Sequence, residues 1–301
     1  MLHVSLVHLL HTCVSLTVCR AAIVSGATIY KERTFSWLIF IIFWVTLVYC
    51  PIAHSSWSPK GWANKSGALD FAGGTPVHIT AGTSALAYAL FHRLQLHRYN
   101  RRQKLANGTE KPPSNWIQRE DQEHVPTVAI GTILLWIGWF GFNGGSALGA
   151  NMRAVSAIFS THLAACAGGI SASVLNGIYN HARLYEIKQI RINNAQPPLT
   201  AGELDSYRHR FFKRMVLSFC NGAVAGMVAI TPAAGFVSPY FAPLFGVLGA
   251  VSSLYAIRLS KYLFDSLDIF AMHAVSGLVG MVLTAFFAEY ILLSPHTCSE
   301  N

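Results

Sequence analysis

Apolar runs of bilayer length follow one another along most of this chain, and they restrict it to folds that can live in lipid. Eight can be drawn, around residues 4–28, 35–54, 70–92, 125–144, 154–178, 215–231, 237–257 and 268–292. Each holds about 17 to 25 residues, the length that carries a helix across ~30 Å of hydrocarbon. The first and sixth are the weakest. Only 12% of the residues are charged while 52% are hydrophobic, far from the composition of a soluble domain, which is about one quarter charged. The predicted fold class is all-α, a polytopic transmembrane helical bundle.

The formal net charge of +9 does not point to nucleic acid, because the basic residues gather in alternate loops. Lys31 and Arg33, the runs Arg93 to Arg119 and Arg183 to Arg214, and Arg258 with Lys261 hold 18 of the 22 Lys and Arg residues. The opposite side holds Lys60, Lys65 and Arg153, with Arg20 inside the weak first segment. Such asymmetry orients a membrane protein with its basic side cytoplasmic. The N-terminus, the 55–69 loop and the C-terminus are then outside. The polar stretches 93–124, with Lys-Pro-Pro-Ser at 111–114, and 181–213, with Pro197-Pro198, read as cytoplasmic loops. Asn64-Lys65-Ser66 is a glycosylation acceptor on the outer side, and Asn107-Gly108-Thr109 faces the cytoplasm.

Six cysteines, at 13, 19, 50, 166, 220 and 298, stand singly, without the paired spacing of a metal site or a disulfide framework. No metal and no cofactor is expected. Residues 1–20 resemble the apolar core of a signal peptide but lack a basic start, and are set apart as an atypical N-terminal segment. Small residues four apart, as in Gly141, Gly145 and Gly149 or Gly222 and Gly226, predict close helix approach in lipid.

Two histidines interrupt the apolar pattern. His78 and His273 lie within spans, each eight residues after an aspartate, Asp70 and Asp265, and each with a glycine four residues later. An ionisable side chain at membrane depth is costly and marks a route for something polar. The charge pattern sends the two segments through the bilayer in opposite directions, so they read as antiparallel copies. Inverted repeats of this kind place the functional site where the halves meet near mid-bilayer.

Five blocks carry a resemblance to the ammonium transporter family, which includes methylammonium permeases and Rhesus glycoproteins, and most closely to its fungal members. They are Tyr-Cys-Pro-Ile-Ala-His (49–54), Gly-Ala-Leu-Asp-Phe-Ala-Gly-Gly-Thr-Pro-Val-His-Ile (67–79), Gly-Trp-Phe-Gly-Phe-Asn-Gly-Gly-Ser-Ala (138–147), Ala-Ile-Thr-Pro-Ala-Ala-Gly-Phe-Val-Ser-Pro (229–239) and Asp-Ile-Phe-Ala-Met-His-Ala-Val-Ser-Gly (268–277). The resemblance covers residues 21–292, with 293–301 as a short C-terminal end. It implies an eleven-span bundle of two inverted halves plus an outer helix, assembled as a trimer with a pore in each subunit. The eight segments correspond to its third through tenth spans.

By that resemblance, His78 and His273 are the pore-lining pair, expected to be neutral, with one ring nitrogen donating and the other accepting. Trp57 matches the vestibule tryptophan, whose ring face attracts a cation, and Ser146 the serine that accepts a hydrogen bond from ammonium. Phe142 matches one of two stacked gating aromatics. The second should come from the third span, yet no phenylalanine precedes Phe35. Asp70 lies below the outer site, where its charge favours a cation, and also reads as a helix cap. Asp265 reads as structural. Trp62, Trp136 and Trp139 read as interfacial anchors or packing.

The implied function is passage of ammonium, ammonia or methylammonium across the plasma membrane, by a homotrimer or mixed trimer that is not an enzyme. The alternative is a non-conducting ammonium sensor or partner subunit. A membrane enzyme with His78 and His273 as metal ligands lacks the carboxylates or cysteines to complete a ligand set.

Overall fold

The computed structural model describes residues 23–25, 34–107, 124–260 and 268–288, and among them every regular element is helical. Helix α1 (Thr34–Trp44) continues through a π-helical turn, Val45–Tyr49, into α2 (Cys50–Trp57). Its outer face is a run of exposed apolar side chains including Phe35, Leu38, Ile42 and Phe43, as suits a helix against lipid. Trp44 turns inward and donates to Ser84 Oγ at 2.9 Å. The short α3 (Trp62–Lys65) follows, then a loop through Asp70 into the π turn Gly74–Ile79 and α4 (Thr80–Asn107).

Helices α5 (Val125–Gly145), α6 (Met152–Asn193), α7 (Ala201–Ile230) and α8 (Ala242–Ser260) succeed one another. The last segment passes through the π turn Phe270–Val275 into α9 (Ser276–Phe287). Among the described residues, six helical stretches are long and apolar enough to span a membrane. The expected span 4–28 lies outside the described residues. The 70–92 segment is helical from Gly74 onward but is not one of the six. Its Thr, Gly and His residues dilute its hydropathy, and Ala81, Ala85 and Ala89 pack one face against the interior while Leu90 and Phe91 stay exposed.

The interior is built from small residues. A Cβ on Gly222 would stand 2.4 Å from the Gly168 carbonyl oxygen, and one on Gly246 would stand 2.1 Å from that of Ala164. Only hydrogen fits at such contacts. Lipid gives apolar helices no hydrophobic reason to associate, so close backbone packing supplies the attraction. Gly222 and Gly226 therefore do what their spacing predicts. At Gly141 and Gly145 a Cβ would meet nothing within 4 Å among the described residues. Spacing alone cannot say which side of a helix meets a neighbour.

The polar stretches correct the loop reading. At 1.5 Å per residue, the 42 residues of α6 reach roughly twice the hydrocarbon thickness, and α7 begins at Ala201, so only 194–200 connect them. No helix breaker occurs before Pro197-Pro198. The hairpin is then pinned: Arg191 pairs with Glu203 at 2.5 Å, and Thr200 and Glu203 form a reciprocal capping box. Nearer the bundle, Asn180 accepts from Tyr207 through its carbonyl and from Arg214 through Oδ1 at 3.2 Å. Helix α4 likewise continues past Arg93 to Asn107.

Candidate functional site

Both histidines sit in π-helical turns at the head of a helix. Single-turn π segments often occur at functional sites, since the extra residue redirects side chains. The first turn is set by Asp70. Its Oδ1 accepts from the backbone N–H of Gly73 at 2.8 Å and Gly74 at 2.7 Å, and its Oδ2 from that of Thr75 at 2.8 Å. Gly73, with φ at 113°, takes a conformation that side chains resist and so lets three successive amides converge on one carboxylate. The π spacing appears at once, as His78 N–H reaches the Gly73 carbonyl at 3.2 Å.

The two turns are clasped by the glycines that follow each histidine. A Cβ on Gly82 would lie 2.4 Å from the backbone nitrogen of Ala274, next to His273. One on Gly277 would lie 3.2 Å from His78 Cβ and 3.3 Å from the Gly74 carbonyl oxygen. Each helix thus presses its glycine against the other's histidine turn. The resulting approach brings His78 Nδ1 to 3.1 Å from His273 Nδ1, with ring centroids 5.3 Å apart. At that distance one nitrogen must carry the proton and the other accept it. His78 is 1% and His273 6% exposed.

Aromatic rings flank the pair on its His78 side. Trp139 stacks on His78 at 5.2 Å and 12°, and Phe142 stands 6.2 Å from the same imidazole. Trp139 is therefore packing, but packing against the site, and the sequence alone does not separate it from Trp62, which is 75% exposed. Its signal is the three-residue step to Phe142, which puts both rings on one helix face. Ser146 lies one turn beyond Phe142 and donates to its carbonyl at 2.8 Å.

Trp57 donates its indole N–H to the Asp70 carbonyl at 2.9 Å and is partly buried. Asp70 is 8% exposed; both its carboxylate oxygens are engaged by backbone amides, and the residue lines a cavity of about 570 Å³. Ser55, Ser56, Thr75 and Thr80 also line that cavity, which includes neither histidine nor Ser146. His78, His273 and Phe142 are thus brought together, with Ser146 joined through Phe142 and Asp70 joined to Trp57. Asp265 lies outside the described residues. Among the described residues, no cluster of three His, Cys, Asp or Glu side chains could hold a metal.

A polytopic helical bundle in which two buried imidazoles from separate segments meet beside aromatic rings defines an integral membrane protein with a polar centre inside an apolar interior. The chain belongs to the Ammonium Transporter Family, whose model matches residues 4–185 and 200–297. It is 42% identical to ammonium transporter 1 of Schizosaccharomyces pombe over 274 residues, covering 90% of this chain and 45% of that protein. Against the Saccharomyces cerevisiae transporter MEP2 it is 34% identical over 273 residues, covering 90% and 46%. The crystal structure of Candida albicans Mep2 matches with a TM-score of 0.67 at 32% identity, over 92% of this chain and 52% of that one. A structure described as a sensor Amt protein matches with a TM-score of 0.65 at 25% identity, over 92% and 60%. The chain spans about half the length of the curated relatives it matches.

Proposed function

We propose that this chain moves ammonium nitrogen inward across the plasma membrane, as ammonia, along a path lined by His78 and His273. The observation that carries this reading is the buried contact of the two imidazoles at 3.1 Å, with the rings of Trp139 and Phe142 against His78. A neutral pair offers both a donor and an acceptor to a small polar molecule, beside the rings of Trp139 and Phe142.

The remaining residues divide the work. Trp57 and Ser146 gather the cation at the outer mouth, where an aromatic face attracts it and a hydroxyl oxygen accepts its hydrogen bond. Asp70 contributes through its field and by shaping the His78 turn, because its oxygens are already held by backbone amides. Burying an unpaired charge costs far more than burying a neutral hydrogen-bonding molecule. The cation therefore gives up its proton to water at the outer mouth before it passes Phe142, and crosses as ammonia. Potassium has none to give, which separates two ions that pore width alone would not. Subunits assemble as a homotrimer or mixed trimer, with the basic hairpin on the cytoplasmic side.

The test is growth on scarce ammonium, with labelled methylammonium uptake, in cells lacking other ammonium permeases. Saturable uptake that falls at least tenfold in His78→Ala and His273→Ala supports the proposal. Uptake indistinguishable from cells without the chain, at a confirmed surface amount, contradicts it. The likeness to a sensor Amt protein favours one second reading, an ammonium-binding subunit that does not conduct. Saturable ammonium binding by purified protein without flux would select it.

A further inference from the structure

Thr231, in the Ala-Ile-Thr-Pro stretch that closes α7, touches both sides of the histidine pair's surroundings. It is 0% exposed. Its Oγ1 accepts the indole N–H of Trp139 at 3.0 Å and donates to the Met227 carbonyl at 2.7 Å. Its own carbonyl accepts from Ala72 N–H at 3.3 Å, and the carbonyl of Pro232 accepts from Phe71 N–H at 2.9 Å. One residue thus fixes the ring stacked on His78 and, through the backbone, the loop that leads from Asp70 into the His78 turn.

The hydroxyl is suited to this. Its single proton is committed to Met227, so a lone pair faces the indole. A buried indole N–H needs an acceptor, and leaving it without one in a dry interior is expensive. A tryptophan that loses this acceptor turns to find another, and His78 then loses the flat surface it lies on.

We infer that Thr231 is a positioning residue for the imidazole pair: through Trp139 it holds the His78 ring in register with His273. The inference rests on the reading that this pair lines the conducting path. Thr231→Val keeps the shape of the side chain and removes the acceptor, whereas Thr231→Ser keeps the acceptor.

Two measurements test it. In cells lacking other ammonium permeases, with uptake normalised to surface amount, Thr231→Val should lower maximal methylammonium uptake roughly tenfold, as small misplacements of positioned groups do. The apparent KM should stay within twofold, since Trp57 and Ser146 are untouched, and Thr231→Ser should stay within twofold of the native rate. In a Trp139→Phe background, which has no indole N–H, Thr231→Val should add no further loss, the non-additivity expected of coupled groups.

The second readout does not depend on transport. Protein with 15N-labelled tryptophan gives an indole signal assigned to Trp139 by its absence in Trp139→Phe. That signal should move upfield in Thr231→Val and stay in place in Thr231→Ser. If valine does not reach the membrane, Thr231→Cys, a weaker acceptor of similar size, takes its place under the same outcomes. Native-like uptake and an unmoved indole signal in the valine variant, or equal damage from serine and valine, would overturn the inference. If the native chain conducts nothing while the indole signal moves as described, the transport reading falls and Thr231 keeps only its hold on the Trp139 ring.

Discussion

Around Gly82 and Gly277 two helices are held together by what their side chains lack, whereas between Asn180 and Glu203 two helices of the same chain are held by what their side chains offer. At the first crossing, backbone atoms come close enough that no Cβ fits at Gly82. At the second, Asn180, Tyr207 and Arg214 are tied by hydrogen bonds and Arg191 grips Glu203. The difference follows from the solvent. Where hydrocarbon surrounds the bundle, association is gained from contact between backbones. Where the helices run on past the apolar layer, side-chain hydrogen bonds and an ion pair hold them together and prolines end the pattern.

The two regions should therefore break differently. The largest effect is expected at Gly82→Val, which forces a side chain against the Ala274 backbone and costs at least ~1–3 kcal/mol, the usual range for overpacking. Size-exclusion chromatography and thermal melting in detergent should show most of this variant aggregated or unfolded. A monodisperse, native-like Gly82→Val would break the account of the crossing. Next in size is His273→Ala, which deletes one imidazole without touching the glycine contacts. Uptake should fall at least tenfold while the melting temperature shifts by no more than a few degrees.

A smaller and more local effect is expected at Asn180→Ala in the hairpin. Asn180 is 1% exposed, and removing its side chain deletes the Oδ1 contact to Arg214, a loss of roughly 1–2 kcal/mol that falls on the hairpin. Limited proteolysis should then cut within 181–213 sooner, with uptake unchanged. Smallest is Arg191→Gln, because an exposed ion pair contributes little. Its uptake and melting curve should match those of the native chain, and a marked loss in either would show that the hairpin tip reports to the interior.

Some of this was legible in the sequence for physical reasons. Residues His78 and His273 stand out because hydrocarbon tolerates few ionisable groups, so their presence in apolar runs carries information that hydropathy alone does not. The glycines four residues after them stood out as part of the repeat, but their close contact, which Gly82 and Gly277 make, was not read from it. The π turns left no trace, since one added residue in a helical turn changes neither composition nor polarity. Trp139 could not be told from an anchoring tryptophan, because the same ring suits the bilayer boundary and a buried stack. The hairpin was hidden by its charges, which read as loop until Arg191, Thr200, Glu203 and Asn180 are seen to pair across it. Thr231 was silent as a side chain, its role set by partners 92 and 159 positions away in Trp139 and Ala72.

The most direct test of the account is whether the two imidazoles share a proton. In protein carrying 15N-labelled histidine in lipid, a coupling between two ring nitrogens should be observed across an N–H···N hydrogen bond. It should vanish in both His78→Ala and His273→Ala. Two uncoupled rings in the native chain, with each signal unaffected by removal of the other histidine, would contradict it.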